Sequence, residues 1–219
     1  VARRGLAGLY ALTPETADTA ALVAQVAAAI AGGTAAIQYR NKRGPAALRR
    51  EQALALRECC ASRSALFIVN DDVELAREVA ADGVHVGRDD VAVAAARQRL
   101  GGEALIGASC YDSLERAERA IASGADYVAF GSFFASRVKP DAVRAPLLLL
   151  TQAKARWRVP VVAIGGITAA NAASLIAAGA DALAVITALF DAPDVTAAAR
   201  ALQAAFAACG VDAHASLRA

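Results

Sequence analysis

One unit recurs along nearly the whole chain and constrains its fold more than any other feature. It is a short β-rich apolar run, polar residues where the run ends, then an Ala-rich stretch with apolar residues at helical spacing. The apolar runs are Gly8–Thr13, Ala35–Arg40, Leu66–Asn70, Gly83–Val86, Leu105–Ser109, Tyr127–Gly131, Val161–Gly165 and Ala182–Thr187, eight in all. Helical spacing lies between them, as in Thr19–Ala31, Ala46–Ser62 and Asn171–Ala178. Asp72 is placed to cap a helix over Val73–Ala81, Asp112 or Ser113 one over Leu114–Ser123, and Thr168 one over Ala169–Ala178. Gly-Ala-Asp at 124–126 and 179–181, and Ala-Asp-Gly at 81–83, end helices and lead into the next strand. Parallel strands need crossover connections, so this alternation predicts a parallel sheet. Eight units in about 210 residues fit an α/β fold of the (β/α)8 or TIM-barrel type, near the lower end of its size range. The rival is an open doubly wound sheet, with fewer strands and a glycine-rich first turn. The first run here ends in Leu12-Thr13-Pro14-Glu15, without that glycine pattern.

Residues 1–209 are read as one catalytic barrel domain, and 210–219 as a C-terminal tail whose order the sequence leaves open. Hydrophobic residues make up 57% of the chain and aromatics only 5%, so the interior is packed by Ala, Val, Leu and Ile. A net charge of +2 without a long basic run argues against nucleic acid or a membrane surface as partner. No apolar stretch has the length of a membrane span, and no apolar region follows the arginines in Val1–Gly5, so no secretory signal is expected. Cys59, Cys60, Cys110 and Cys209 form no CxxC, which fits reduced thiols in a cytoplasmic protein. The Ala-rich helical exterior could support a homodimer.

In a barrel of this kind, residues just past the carboxyl ends of the strands meet in one pocket. On a continuous strand Gln38, Arg40 and Lys42 would point the same way. Asn70 and Asp71 follow the third run, and Arg88, Asp89 and Asp90 the fourth. Ser109 follows the fifth, Ser136 and Lys139 lie after the sixth, Gly165-Gly166 follows the seventh and Thr187 the eighth. Gly165, Gly166 and Thr187 can offer backbone N–H groups to a phosphate. Arg40, Lys42, Asp71 and Asp90 can hold a metal-bound diphosphate. Taken singly, each has a plainer explanation. Arg40 and Lys42 could be a solvated loop, Asp72 a cap, Asp89 and Asp90 a helix N-terminus, and His85 a structural core residue. His214 lies in a polar tail and is given no catalytic role.

The ordered series QYRNK (38–42), VNDD (69–72), GVHVGRDD (83–90), IGASCYDS (106–113), GADYVAFGSFF (124–134), VVAIGGI (161–167) and GADALAVIT (179–187) resembles the thiamine-phosphate synthase family, from about Gly8 to Phe190. That family joins an aminopyrimidine diphosphate to a thiazole phosphate, using magnesium and releasing diphosphate. The resemblance implies that Gln38, Arg40, Lys42, Asn70 and Lys139 surround the pyrimidine and its diphosphate, with Ser109 touching the diphosphate. It implies Asp71 and Asp90 as Mg2+ ligands, and Ser136, Gly166, Ile186 and Thr187 as holders of the thiazole phosphate. Arg40, Lys42, Ser109 and Lys139 would be the catalytic groups.

Two departures from the family pattern stand out. The loop after the sixth run commonly reads Pro-Thr/Ser-x-Thr-Lys, but here it is Ala135-Ser136-Arg137-Val138-Lys139, so Val138 offers no hydroxyl. Tyr111 stands where many members have His, and where a sister family of thiazole tautomerases uses His as acid or base. A neutral phenol is the weaker proton shuttle near neutral pH. The alternatives are therefore a tautomerase, a catalytically silent protein that binds thiamine precursors, and, least favoured, a sugar-phosphate isomerase.

Overall fold

The computed structural model describes residues 5–87, 93–135 and 143–211. Among them eight parallel strands close into a barrel in chain order, β8 pairing with β1. The strands are β1 (Gly8–Leu12), β2 (Ala36–Tyr39), β3 (Leu66–Asn70), β4 (Gly83–Val86), β5 (Leu105–Tyr111), β6 (Tyr127–Phe130), β7 (Val161–Ile164) and β8 (Ala182–Val185). Helices α1 (Thr19–Ala31), α2 (Ala46–Ala61), α3 (Val73–Glu78), α4 (Val93–Leu100), α5 (Leu114–Ala122), α6 (Leu148–Arg156), α7 (Ala172–Ala177), the short α8 (Thr187–Phe190) and α9 (Val195–Ala208) follow in turn. The expected (β/α)8 architecture is the observed one.

Both faces of the strands are buried, except at carboxyl ends such as that of β5, where Tyr111 is exposed. One set of alternate residues packs under the helices, among them Leu9, Ile37, Phe67, Val84, Ile106, Val128 and Leu183. The other set fills the barrel, with Tyr10, Leu66, Ile68, Leu105, Tyr127 and Val162 as its bulk. Large and small inward residues complement each other. A Cβ on Gly107 would sit 2.0 Å from Tyr127 Cζ, so only glycine leaves room for that ring.

The recurring aspartates have a defined role at the amino end of the barrel. Each lies just before an even-numbered strand and accepts a backbone N–H from the strand preceding it. Asp82 takes Phe67 N at 2.8 Å, Asp126 takes Ile106 N at 2.7 Å, and Asp181 takes Val161 N at 2.7 Å. Asp126 and Asp181 also pair with Arg97 and Lys154. Such bonds fasten neighbouring strands at the face that barrels devote to stability.

Several boundaries differ from expectation at the carboxyl ends. β2 stops at Tyr39 because Thr13 Oγ1 takes the Arg40 N–H at 2.9 Å, replacing the ladder with a side chain. β5 runs on to Tyr111 through a bulge between Ser109 and Tyr111. Asp72 and Ser113 cap their helices as expected, accepting from Leu75 N and Arg116 N. Thr168 does not. Asn171 Oδ1 takes the Thr168 N–H at 2.9 Å, and the helix starts only at Ala172. Thr187 opens α8 instead of ending β8.

Candidate active site

The carboxyl ends of the strands surround one cavity of about 670 Å³. Gln38, Arg40, Asn70, Ser109, Gly166, Ile186 and Thr187 all line it, although they come from β2, β3, β5, β7 and β8 or the loops that follow them. Lys42 and Asp71 sit beside it as a pair, Nζ to Oδ2 at 2.7 Å. Asp90, Ser136 and Lys139, with Arg88, Asp89 and Val138, lie outside the described residues.

The expectation that Gln38, Arg40 and Lys42 share one strand face is corrected here. Only Gln38 lies on the strand, 2% exposed inside the barrel. Arg40 and Lys42 follow its end, where Glu15 gathers them: Arg40 Nη1 lies 3.1 Å from Glu15 Oε1, and the Lys42 N–H donates to the same oxygen at 3.3 Å. Behind this loop the fully buried Gln52 of α2 accepts from Tyr39 Oη (2.9 Å) and Asn41 Nδ2 (3.1 Å) and donates to the Thr16 carbonyl (3.0 Å). A cationic loop braced by a satisfied buried amide is held in place before any ligand arrives.

Asp71 has a positive φ of 64°, and its own N–H donates to the His85 carbonyl at 2.8 Å. Its carboxylate accepts from Asn70 Nδ2 (2.6 Å) and Gly87 N (3.2 Å) as well as Lys42. A carboxylate so oriented is a hard oxygen donor of the type a hard divalent cation selects. Among the described residues no three His, Cys, Asp or Glu side chains gather as a preformed metal centre.

Across the cavity, Gly165 (φ +105°) and Gly166 (φ +62°) form the turn after β7. Phe134 N donates to the Gly165 carbonyl at 3.0 Å, and a Cβ on Gly166 would lie 2.3 Å from the Ala135 oxygen. The segment after β6 therefore rests directly on the glycine turn.

Sequence reasoning passed over Tyr10 and Tyr127 here and read His85 as a structural core residue. Tyr10 and His85 line the cavity from below, and Tyr127 lies between them. Burial holds the His85 imidazole down to about 4, against partial opposition from the Asp71 charge, so it is neutral at physiological pH. Burial likewise raises the Tyr10 and Tyr127 phenols well above their usual value. Cys110 is buried with its thiol pushed up to about 12, which removes it as a nucleophile. Tyr111 stands at the rim with the Arg116 guanidinium 5.3 Å from its ring centre, and both line the cavity. The sequence signal for the interior group was limited to a Tyr or a His inside an otherwise apolar run, which does not tell which face of the strand the residue takes.

Comparison with known proteins agrees on one family. A family model described as thiamine monophosphate synthase matches residues 9–189. The chain is 58% identical over 201 residues to a thiamine-phosphate synthase of Chromobacterium violaceum, covering 92% of this chain and 97% of that one. It is 57% identical over 201 residues to a thiamine-phosphate synthase of Thiobacillus denitrificans, covering 92% and 95%. A thiamine phosphate pyrophosphorylase structure from Pyrococcus furiosus superposes with a TM-score of 0.83 at 36% identity, covering 94% of this chain and 98% of that one.

Proposed function

The chain belongs to the thiamine monophosphate synthase family, and we propose that its barrel mouth couples an aminopyrimidine diphosphate to a thiazole phosphate. The products are thiamine phosphate and diphosphate. The observation that carries this reading is a single cavity with Gln38, Arg40, Asn70 and Ser109 on one side and Gly166, Ile186 and Thr187 on the other. Two phosphorylated partners can meet there.

In the coupling, the bond between the pyrimidine methylene carbon and the diphosphate oxygen breaks, and its electron pair leaves with the diphosphate. The electron-rich aminopyrimidine spreads the positive charge. The lone pair of the thiazole nitrogen then forms the new C–N bond, and no proton has to move. Such a reaction asks for stabilisation of departing negative charge more than for a base. Arg40 and Lys42, joined by Lys139, supply cations; Ser109 and Asn70 supply neutral donors. Asp71 with Asp90 would hold Mg2+, which when bound neutralises diphosphate charge. One or two carboxylates suffice for Mg2+ when substrate phosphates complete its shell. Gln38 meets the pyrimidine. Gly166, Ile186 and Thr187, with Ser136, hold the thiazole phosphate. Leu12, Val162, Ile164 and Ala184 give the cavity an apolar wall that keeps water from the cation.

Tyr111 favours coupling over tautomerisation, because it stands where the tautomerases carry the His that serves as acid or base. Both substrates are multiply charged phosphates that do not cross a bilayer unaided, which supports a cytoplasmic enzyme. The test is incubation with both precursors and Mg2+, following diphosphate release and the fluorescence of oxidised thiamine phosphate. Thiazole isomerisation without coupling would make the chain a tautomerase. Binding of both ligands without diphosphate release would make it a silent binding protein.

A further inference from the structure

Tyr10, Tyr127 and His85 have no part in the proposed chemistry, yet they connect two residues that do. Gln38 Nε2 donates to Tyr10 Oη at 2.7 Å, and the Tyr10 and Tyr127 hydroxyls share a hydrogen bond at 2.9 Å. Tyr127 Oη lies 3.1 Å from His85 Nδ1, and His85 Nε2 lies 2.9 Å from Ser109 Oγ. Five residues on β2, β1, β6, β4 and β5 thus form one unbroken path through the barrel.

The direction of this path follows from its donors. An amide nitrogen cannot accept, so Tyr10 accepts from Gln38 and sends its only hydroxyl proton to Tyr127. Tyr127, having accepted, sends its own proton to His85 Nδ1. A neutral imidazole with Nδ1 accepting carries its proton on Nε2 and donates it to Ser109. The Ser109 hydroxyl proton is left for the cavity. Reversing the sequence would require Gln38 to turn its amide oxygen towards Tyr10, because a buried donor facing a donor is strongly disfavoured.

We propose that Tyr10, Tyr127 and His85 form a positioning relay that presents Ser109 to the cavity as a hydrogen-bond donor and ties that polarity to the orientation of the Gln38 carboxamide. A donor matches an anionic oxygen, which has no proton to give. The two ends of the pyrimidine diphosphate are then read by groups whose polarities are set together. The inference rests on the reading of Ser109 as a diphosphate contact and of Gln38 as a pyrimidine contact.

Two measurements test it. The first is NMR of the protein labelled with 15N-histidine, in which His85 is one of two histidines. The relay requires the Nε2–H tautomer at His85; an Nδ1–H tautomer overturns it. The second is a cycle of Tyr127→Phe, Ser109→Ala and the double variant. Tyr127 does not line the cavity, so its hydroxyl can be removed without deleting a ligand contact. Calorimetry with inorganic diphosphate and Mg2+ should show each single variant about tenfold weaker, with the double variant no weaker than Ser109→Ala alone. Losses that multiply, or no loss in Tyr127→Phe, overturn the relay. Failure of the unaltered protein to make thiamine phosphate would instead overturn the coupling reading, since neither measurement depends on turnover.

Discussion

Adding one methyl group at Gly166 tests whether the turn after β7 holds the thiazole phosphate. With φ at +62°, alanine there adopts a left-handed conformation that costs about 1–2 kcal/mol. Its Cβ would also lie 2.3 Å from the Ala135 oxygen and 2.8 Å from both the carbonyl carbon and Cβ of Phe134. Ordinary contact needs roughly 1 Å more. The segments cannot separate freely, because Phe134 N donates to the Gly165 carbonyl across the same contact. Overpacking of this kind costs about 1–3 kcal/mol, so Gly166→Ala should lose roughly 2–5 kcal/mol in all. For a chain of this size that lowers Tm by roughly 5–15 °C. Gly101→Ala is the control: φ is +81° there too, but a Cβ meets nothing within 4 Å, so it reports the backbone cost alone. Steady-state kinetics should show the thiazole-phosphate KM of Gly166→Ala raised about tenfold or more, with the pyrimidine-diphosphate KM within about threefold. A variant with lowered Tm and an unchanged thiazole-phosphate KM would refute the argument, leaving the glycine as a packing device only.

Arg40→Ala should raise the pyrimidine-diphosphate KM about 10- to 100-fold, the scale of a lost hydrogen bond to a charged group. An unchanged KM would mean that Arg40 serves Glu15 alone. Val138→Thr should lower the thiazole-phosphate KM by a similar factor by adding the hydroxyl that the family pattern carries there; an unchanged KM would mean that the missing hydroxyl costs this chain no phosphate contact. Stability should also follow His85, whose folded value of about 4 lies below the 6.5 of an ordinary histidine. As pH falls, the unfolded chain takes up this proton first. Stability is therefore full above about pH 6.5 and declines between 6.5 and 4, by roughly 3 kcal/mol. Urea denaturation of the ligand-free protein should show that decline, and a profile just as steep in His85→Gln would assign it to other groups.

The eight repeating units and the polar residues at their ends are local features, and the sequence alone determined them. Periodicity, caps such as Asp72 and Ser113, and the Asp-containing turns read correctly because each depends on neighbours a few residues away. Which face of each strand turns inward was a different matter. When both faces are buried, a strand is a continuous apolar run, and nothing in Leu9-Tyr10-Ala11 or Val84-His85-Val86 tells barrel interior from helix layer. Only the closed barrel brought Tyr10, Tyr127 and His85 together, and only the Thr13 side chain, by ending β2 at Tyr39, set Gln38 apart from Arg40 and Lys42. Pairing of neighbouring strands gave Asp82, Asp126 and Asp181 their strand-fastening bonds, Asn171 took the Thr168 N–H and so organised that turn, and Thr187 became the start of a helix. Each of these depends on a partner distant in sequence or on competition between side chains for one backbone N–H, and a linear pattern does not record the outcome of such a contest.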